Sequence, residues 1–303
     1  MKILCCGEAL IDMIPEATTS GEAGYVPFPG GSVFNTAIAL GRLGVDVGML
    51  AGISNDLFGE QLAASLSDSH VHTSCLIRSN RPTTLAFVRL RDGHATYTFY
   101  DENSAGRMIT PDDLPDLPDD VQCLYFGGIS LINPPAADTL LALAEREAAH
   151  RTIMLDPNIR PGFIDDETSY RARLSRMIAV ADVVKVSDDD LAWLFPDGGG
   201  PEAVEGPDLV ILTRGSDGAS IRRADGAEIT VDAPTTNVVD TVGAGDTFNA
   251  GFLSEADALG LLTKGALVDA SPDALRECLV HAAKVAAVTV SRAGANPPWR
   301  HEL

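Results

Sequence analysis

Basic residues are scarce in this 303-residue chain: 22 lysines and arginines stand against 43 aspartates and glutamates, a formal net charge of −21. So acidic a surface argues against a nucleic-acid or anionic-membrane partner. Any phosphate site must then be local, built from backbone N–H groups and a few arginines. Long hydrophobic runs are missing too: no apolar stretch is long enough to cross a bilayer, and Met1-Lys2 leads into the strand-like Ile3-Leu4-Cys5-Cys6 with no signal peptide. The five cysteines, at 5, 6, 75, 123 and 278, are odd in number and show neither C-x-x-C nor His-Cys metal spacing. A reduced, cytoplasmic protein is expected. The Walker G-x-x-x-x-G-K-[ST] is absent, which argues against a P-loop ATPase; no G-x-G-x-x-G follows the first strand, which weakens an NAD-dependent dehydrogenase. No repeat, low-complexity tract or linker divides the chain, so one α/β domain over 1–303 is expected, with 45% hydrophobic residues to fill its core.

What is present centres on 240–252, D-T-V-G-A-G-D-T-F-N-A-G-F. Gly243, Ala244 and Gly245 have almost no side chains, so successive backbone N–H groups can converge on one anion where the apolar spacing turns helical. Asp246 follows in the first helical turn, where the helix dipole favours an ionised carboxylate at neutral pH. Alone, the string is also a common tight turn with an aspartate cap. Beside an anion cradle, though, a carboxylate suits phosphoryl transfer, accepting the proton of an attacking hydroxyl. Thr241 precedes the turn, and Phe248, Phe252 and Leu253 give the helix a buried face.

Upstream, a strand at 3–6, apolar throughout as a strand covered on both faces would be, leads toward Asp12. Pro15 to Pro29 is a polar excursion suited to part of a lid. Gly30 and Gly31 then let the backbone approach a ligand, Ser32 caps a helix, Asn35 falls in its first turn and Gly44 ends it. A strand near 47–53, a helix near 57–67 and a strand at 71–77 follow. Residues 83–90 and 95–100 read as a β-hairpin turning at Asp92-Gly93, a second lid element within 83–108. From 123 the alternation is regular: strand 123–129, helix 135–149, strand 152–156, helix 168–180, strand 182–186, helix 188–195, strand 208–213. A hairpin near 218–232, turning at Asp225-Gly226, and an amphipathic helix near 272–292 complete the chain. The fold class this implies is α/β: a doubly wound, mostly parallel sheet with helices on both faces and a small β-sheet lid.

The 240–252 segment and P-G-G-S-V-F-N-T-A-I-A-L-G-R-L-G, about 200 residues before it, resemble the two signatures of the ribokinase-like (PfkB) carbohydrate kinases. The resemblance implies that Asp246 is the catalytic base and that Gly243, Ala244 and Gly245 form the anion hole. It places Asp12, Gly30, Gly31 and Asn35 on the sugar. The string D-P-N-I-R-P at 156–161 is similar to that of fructokinases and 2-keto-3-deoxygluconate kinases, which points Arg160 toward the transferring phosphoryl group or a substrate oxygen; on chemistry alone, a salt bridge to Asp156 or Asp165 is as good a reading. Ser187 and Asp190 stand where the family usually has Asn-x-x-Glu near the ATP phosphates and Mg²⁺, with Asp190 the candidate to hold the metal through water. Thr213, Gly215, Gly218 and Thr241 fall on the nucleotide side, and 291–295 near the adenine and a monovalent cation such as K⁺. Tyr100 and Arg107 lie in a segment that resembles the lid of bacterial fructokinases. Asp101 would repel an acidic sugar by a few kcal/mol at most, unless Arg107 or Arg89 compensates. The expectation is an ATP- and Mg²⁺-dependent kinase of D-fructose, ahead of 2-keto-3-deoxygluconate, with a homodimer through the lid open. A non-catalytic sugar sensor on the same scaffold is the reading from another class.

Overall fold

The computed structural model describes residues 1–91 and 94–303. The chain begins with β1 (Ile3–Cys6), then β2 (Leu10–Ala17) and β3 (Ala23–Gly30), α1 (Ser32–Arg42), β4 (Val47–Ser54), α2 (Leu57–Asp68), β5 (Leu76–Ser79), β6 (Leu85–Arg91) and β7 (His94–Tyr100). It continues through β8 (Cys123–Gly127), α3 (Ala136–Glu147), β9 (Thr152–Asp156), α4 (Glu167–Val180), β10 (Val183–Ser187), α5 (Asp188–Leu194) and β11 (Leu209–Thr213). The last elements are β12 (Ala219–Arg223), β13 (Glu228–Val231), α6 (Ala244–Ala258) and α7 (Pro272–Val290).

Nine strands form one sheet in the order β13-β12-β11-β10-β9-β8-β1-β4-β5. All neighbours from β5 to β11 are parallel, while β12 and β13 close the far edge as an antiparallel hairpin. Strand alternation splits β1 between two cores. Ile3 and Cys5 pack on the side of α1, α2, α6 and α7, whereas Leu4 and Cys6 face α3, α4 and α5. A strand covered on both faces has to be apolar at every position, and β1 is.

Four strands form a separate sheet, β3-β2-β6-β7. Two antiparallel hairpins are joined by a parallel pairing of β2 with β6, at Ile11↔Leu85 and Asp12↔Ala86. The expected turn at Asp92-Gly93 lies outside the described residues. The stretch expected as a polar excursion, Pro15 to Pro29, instead belongs largely to the β2–β3 strand pair, and two strand ends also differ from expectation. Polar Thr73 and Ser74 hold a turn, Leu76 N donating to Thr73 O at 3.2 Å, so β5 starts at Leu76 rather than near 71. β8 stops at Gly127, and residues 128–131 coil into a 3₁₀ turn beside Glu8 instead of extending to 129. Among the described residues no helix is long and apolar enough to cross a membrane.

Candidate active site

A cavity of about 340 Å³ opens at the carboxyl ends of the parallel strands, with Leu10, Asp12 and Phe99 of the small sheet forming part of its wall. This is where open α/β sheets take ligands. Gly243 initiates α6 in the left-handed conformation, φ 78°. A side chain there would also meet Ala295, 2.8 Å from its Cβ. Asp240 braces the loop: Oδ1 accepts from Val242 N at 3.0 Å and Oδ2 from Gly294 N at 2.9 Å. The 291–295 segment is thereby tied to the turn. Of the three expected anion-hole amides, that of Ala244 closes the turn on Thr241 O at 3.2 Å. Gly245 and Asp246 contribute first-turn amides for which the helix has no carbonyl.

Asp246 is buried, and its Oδ2 accepts from Asn35 Nδ2 at 2.8 Å. Burial pushes its pKa up to about 7; the Asn35 donor opposes this, Asp156 adds to it, Lys185 opposes it and Glu8 adds to it. The helix dipole led to the expectation of an ionised group at neutral pH. Desolvation inside the closed fold overrides the dipole, leaving an acid poised near neutrality, as suits a general base.

On the sugar side, Asp12 is pushed up to about 6 by burial. Gly30 lies beside it: a Cβ there would fall 2.1 Å from Asp12 Oδ2, so the glycine makes room for the carboxylate. Gly31 and Asn35 line the cavity. Ser32 is the first residue of α1 and not its cap; its N–H and Oγ both reach Glu8 Oε1 at 2.9 Å.

Arg160, Thr241, Gly243, Ala244 and Gly245 also line the cavity. Arg160 donates to Ile159 O at 3.0 Å, and Asp156, its suggested partner, instead binds Lys185 at 3.1 Å. Other expected residues lie elsewhere. Register pairs Asp12 with Ala86 and Ala86 with Phe99, so the two-residue period puts Phe99 toward the cavity and Tyr100 on the opposite face. Arg107 pairs with Asp101 at 3.2 Å in a smaller cavity beside Ser130 and Asn133. Ser187 and Thr213 pair across the ends of β10 and β11, and Gly215 and Gly218 belong to the turn that follows; none of the four is in the cavity wall.

Asp190 is buried and committed to the protein. Oδ1 accepts from Ile159 N at 2.7 Å, and Oδ2 from Ser187 N at 2.9 Å and Ser187 Oγ at 2.7 Å. With these three donors the carboxylate ties Ile159 to Ser187. Among the described residues no group of three His, Cys, Asp or Glu side chains is placed to hold a metal.

Sequence reasoning missed Glu8, Lys185 and Asn249. Asn249 Nδ2 donates to Asp156 Oδ2 at 2.7 Å and to Tyr125 OH at 2.9 Å. The available signal for Lys185 was a charge inside the apolar run Val183-Val184-Lys185-Val186.

Donors for phosphate oxygens and an acceptor for a hydroxyl proton share one cavity, the requirement of a kinase acting on an alcohol. Comparison with known proteins agrees: the chain belongs to the pfkB family of carbohydrate kinases, whose family model matches residues 1–302. It is 52% identical to a fructokinase of Rhizobium leguminosarum bv. trifolii over 280 residues, covering 90% of this chain and 85% of that protein. A fructokinase of Klebsiella pneumoniae is 31% identical, with 86% of each chain covered. Among solved structures, fructokinase from Xylella fastidiosa with bound ATP is similar at a TM-score of 0.89 and 28% identity, over 97% of this chain and 93% of that one.

Proposed function

We infer that the protein is an ATP-dependent fructokinase, transferring the γ-phosphoryl group of ATP to the terminal hydroxyl of D-fructose to give fructose 6-phosphate. The observation that carries this reading is the Asp246 carboxylate, held by Asn35 and poised near neutrality at the α6 N-terminus. The 52% identity to a fructokinase supports the choice of sugar. Asp246 takes the proton of the attacking hydroxyl. The amides at the start of α6 and Arg160 stabilise the moving phosphoryl group, and Asp12, Gly31 and Asn35 orient the sugar.

The case for a neutral sugar no longer rests on Asp101, which Arg107 neutralises away from the cavity. The same pairing leaves Arg107 engaged rather than free for a substrate carboxylate. Mg²⁺ enters with ATP as part of the substrate, coordinated by phosphates and water. A K⁺ requirement is checked by exchanging K⁺ for a bulky quaternary ammonium ion in the assay. Within a single 1–303 domain, the small sheet acts as a lid that limits loss of the phosphoryl group to water. The five unpaired, buried cysteines support a reduced, cytoplasmic setting.

ADP release by the purified protein with MgATP tests the reading. Strong turnover on D-fructose and little on 2-keto-3-deoxygluconate is expected. The reverse would overturn the sugar assignment, and silence on both would favour a binding protein without turnover.

A further inference from the structure

At the cavity end of α6 lies a charged cluster whose lysine belongs to neither signature of the sequence. The Lys185 side chain is only 5% exposed, yet Lys185 forms part of the cavity wall. Asp156 Oδ2 fixes its ammonium at 3.1 Å, and Asn249 Nδ2 holds the same oxygen at 2.7 Å. On the other side stands Gly245. A Cβ there would lie 3.3 Å from Lys185 Nζ, which puts the ammonium close to the first turn of α6. An ammonium carries three donors, and Asp156 occupies one.

We propose that Lys185 is a catalytic residue, its ammonium donating to an oxygen of the γ-phosphoryl group as that group passes beneath Gly245 from ATP to the sugar. The proposal rests on the kinase reading above. In the step, the sugar oxygen forms a bond to the γ-phosphorus, and the bond to the oxygen bridging to the β-phosphate breaks. ADP leaves with the electron pair, and the hydroxyl proton passes to Asp246. Lys185 neither gains nor loses a proton. Burial works against its charge, but the carboxylates of Asp156, Asp190 and Asp246 outweigh burial and hold it protonated beyond the ordinary lysine range.

The competing account is that Lys185 merely neutralises Asp156. Removing Lys185 alone would not separate the two, because a buried Asp156 would be left unpaired and Asp246 would lose a charge that lowers its pKa. Asp246 faces Asn35 from α1, Glu8 from the β1–β2 connection, Tyr125 from β8, Asp156 from β9 and Lys185 from β10, with Asp12 and Arg160 in the same cavity wall. Lys185 and Asp156 act on it in opposite directions. The double variant Lys185→Gln/Asp156→Asn removes both charges together and keeps a hydrogen-bonded pair.

The experiment compares Lys185→Met, Lys185→Gln/Asp156→Asn and the unmodified protein by ADP release at saturating ATP and fructose, from about pH 6 to about pH 9, alongside fructose affinity and thermal melting. The double variant should melt like the unmodified protein and bind fructose equally well, while kcat falls about 10²–10³-fold. A double variant with kcat within about threefold of the unmodified protein overturns the proposal. If Lys185→Met does not fold, the double variant alone decides. An unmodified protein silent on fructose would instead remove the kinase reading, so the two failures are distinguishable.

Discussion

Unfolded, the Asp246 carboxyl loses its proton near its ordinary 3.8; folded, burial holds that proton until about 7. Between these values the folded chain binds more protons than the unfolded chain, so stability falls as pH rises through the window. Above about 7 the full cost is present, a few kcal/mol at about 1.4 kcal/mol per pH unit. Asp246→Asn keeps an acceptor for Asn35 without the charge. It is expected to melt no lower than the unmodified protein at about pH 8, with any advantage fading toward about pH 4, while turnover falls about 10²–10⁴-fold. Melting curves at the two pH values with parallel kinetics check this. Near-full turnover in a folded variant would remove Asp246 as the base. The same burial sets the pH profile: kcat/KM for the sugar should rise with pH as Asp12, at about 6, and Asp246, at about 7, ionise. An acidic limb centred near 4 would contradict that assignment.

Among the elements, the turn from β10 to α5 ties two loops together. Asp190 joins Ser187 to Ile159 and so anchors the loop that presents Arg160. Asp190→Ala leaves buried donors unmet and should cost about 2–3 kcal/mol of stability. Turnover should drop as the Arg160 loop loosens, while half-saturation by Mg²⁺ stays unchanged. Thermal melting with a Mg²⁺ titration tests this; altered Mg²⁺ dependence at unchanged stability would return Asp190 to the metal. The small sheet shows how period two sorts neighbours. Phe99 goes to the cavity wall, and Tyr100 stacks edge-on against Phe87 on the outer face, centroids 5.5 Å apart.

For the whole molecule, that outer face bears on assembly. Tyr25 is 43% exposed and Tyr100 57% exposed, with Phe87 between them, 5.0 Å from Tyr25. An exposed aromatic row is a surface suited to burial against a second copy, and a homodimer through the lid is the assembly we propose. Light scattering should give about twice the 31.9 kDa chain mass, and Tyr25→Arg/Tyr100→Arg should give a monomer with an unchanged melting temperature. A monomeric unmodified protein would overturn this assembly.

The sequence by itself determined the order of strands and helices apart from the β2–β3 hairpin, together with the two glycine-rich turns and the acid that follows the second. These are local matters of apolar spacing, missing side chains and helix starts, all written in neighbouring residues. It also determined the doubly wound class, since a run such as Ile3–Cys6 is stable only between two layers. Tertiary structure decided what depends on partners far apart in the chain. It paired β2 with β6 in parallel, joined Asn35 to Asp246 across 211 positions and raised the acid to near neutrality. It also brought Lys185 under Gly245. Desolvation and charge pairing depend on distance in space, and only folding sets that distance.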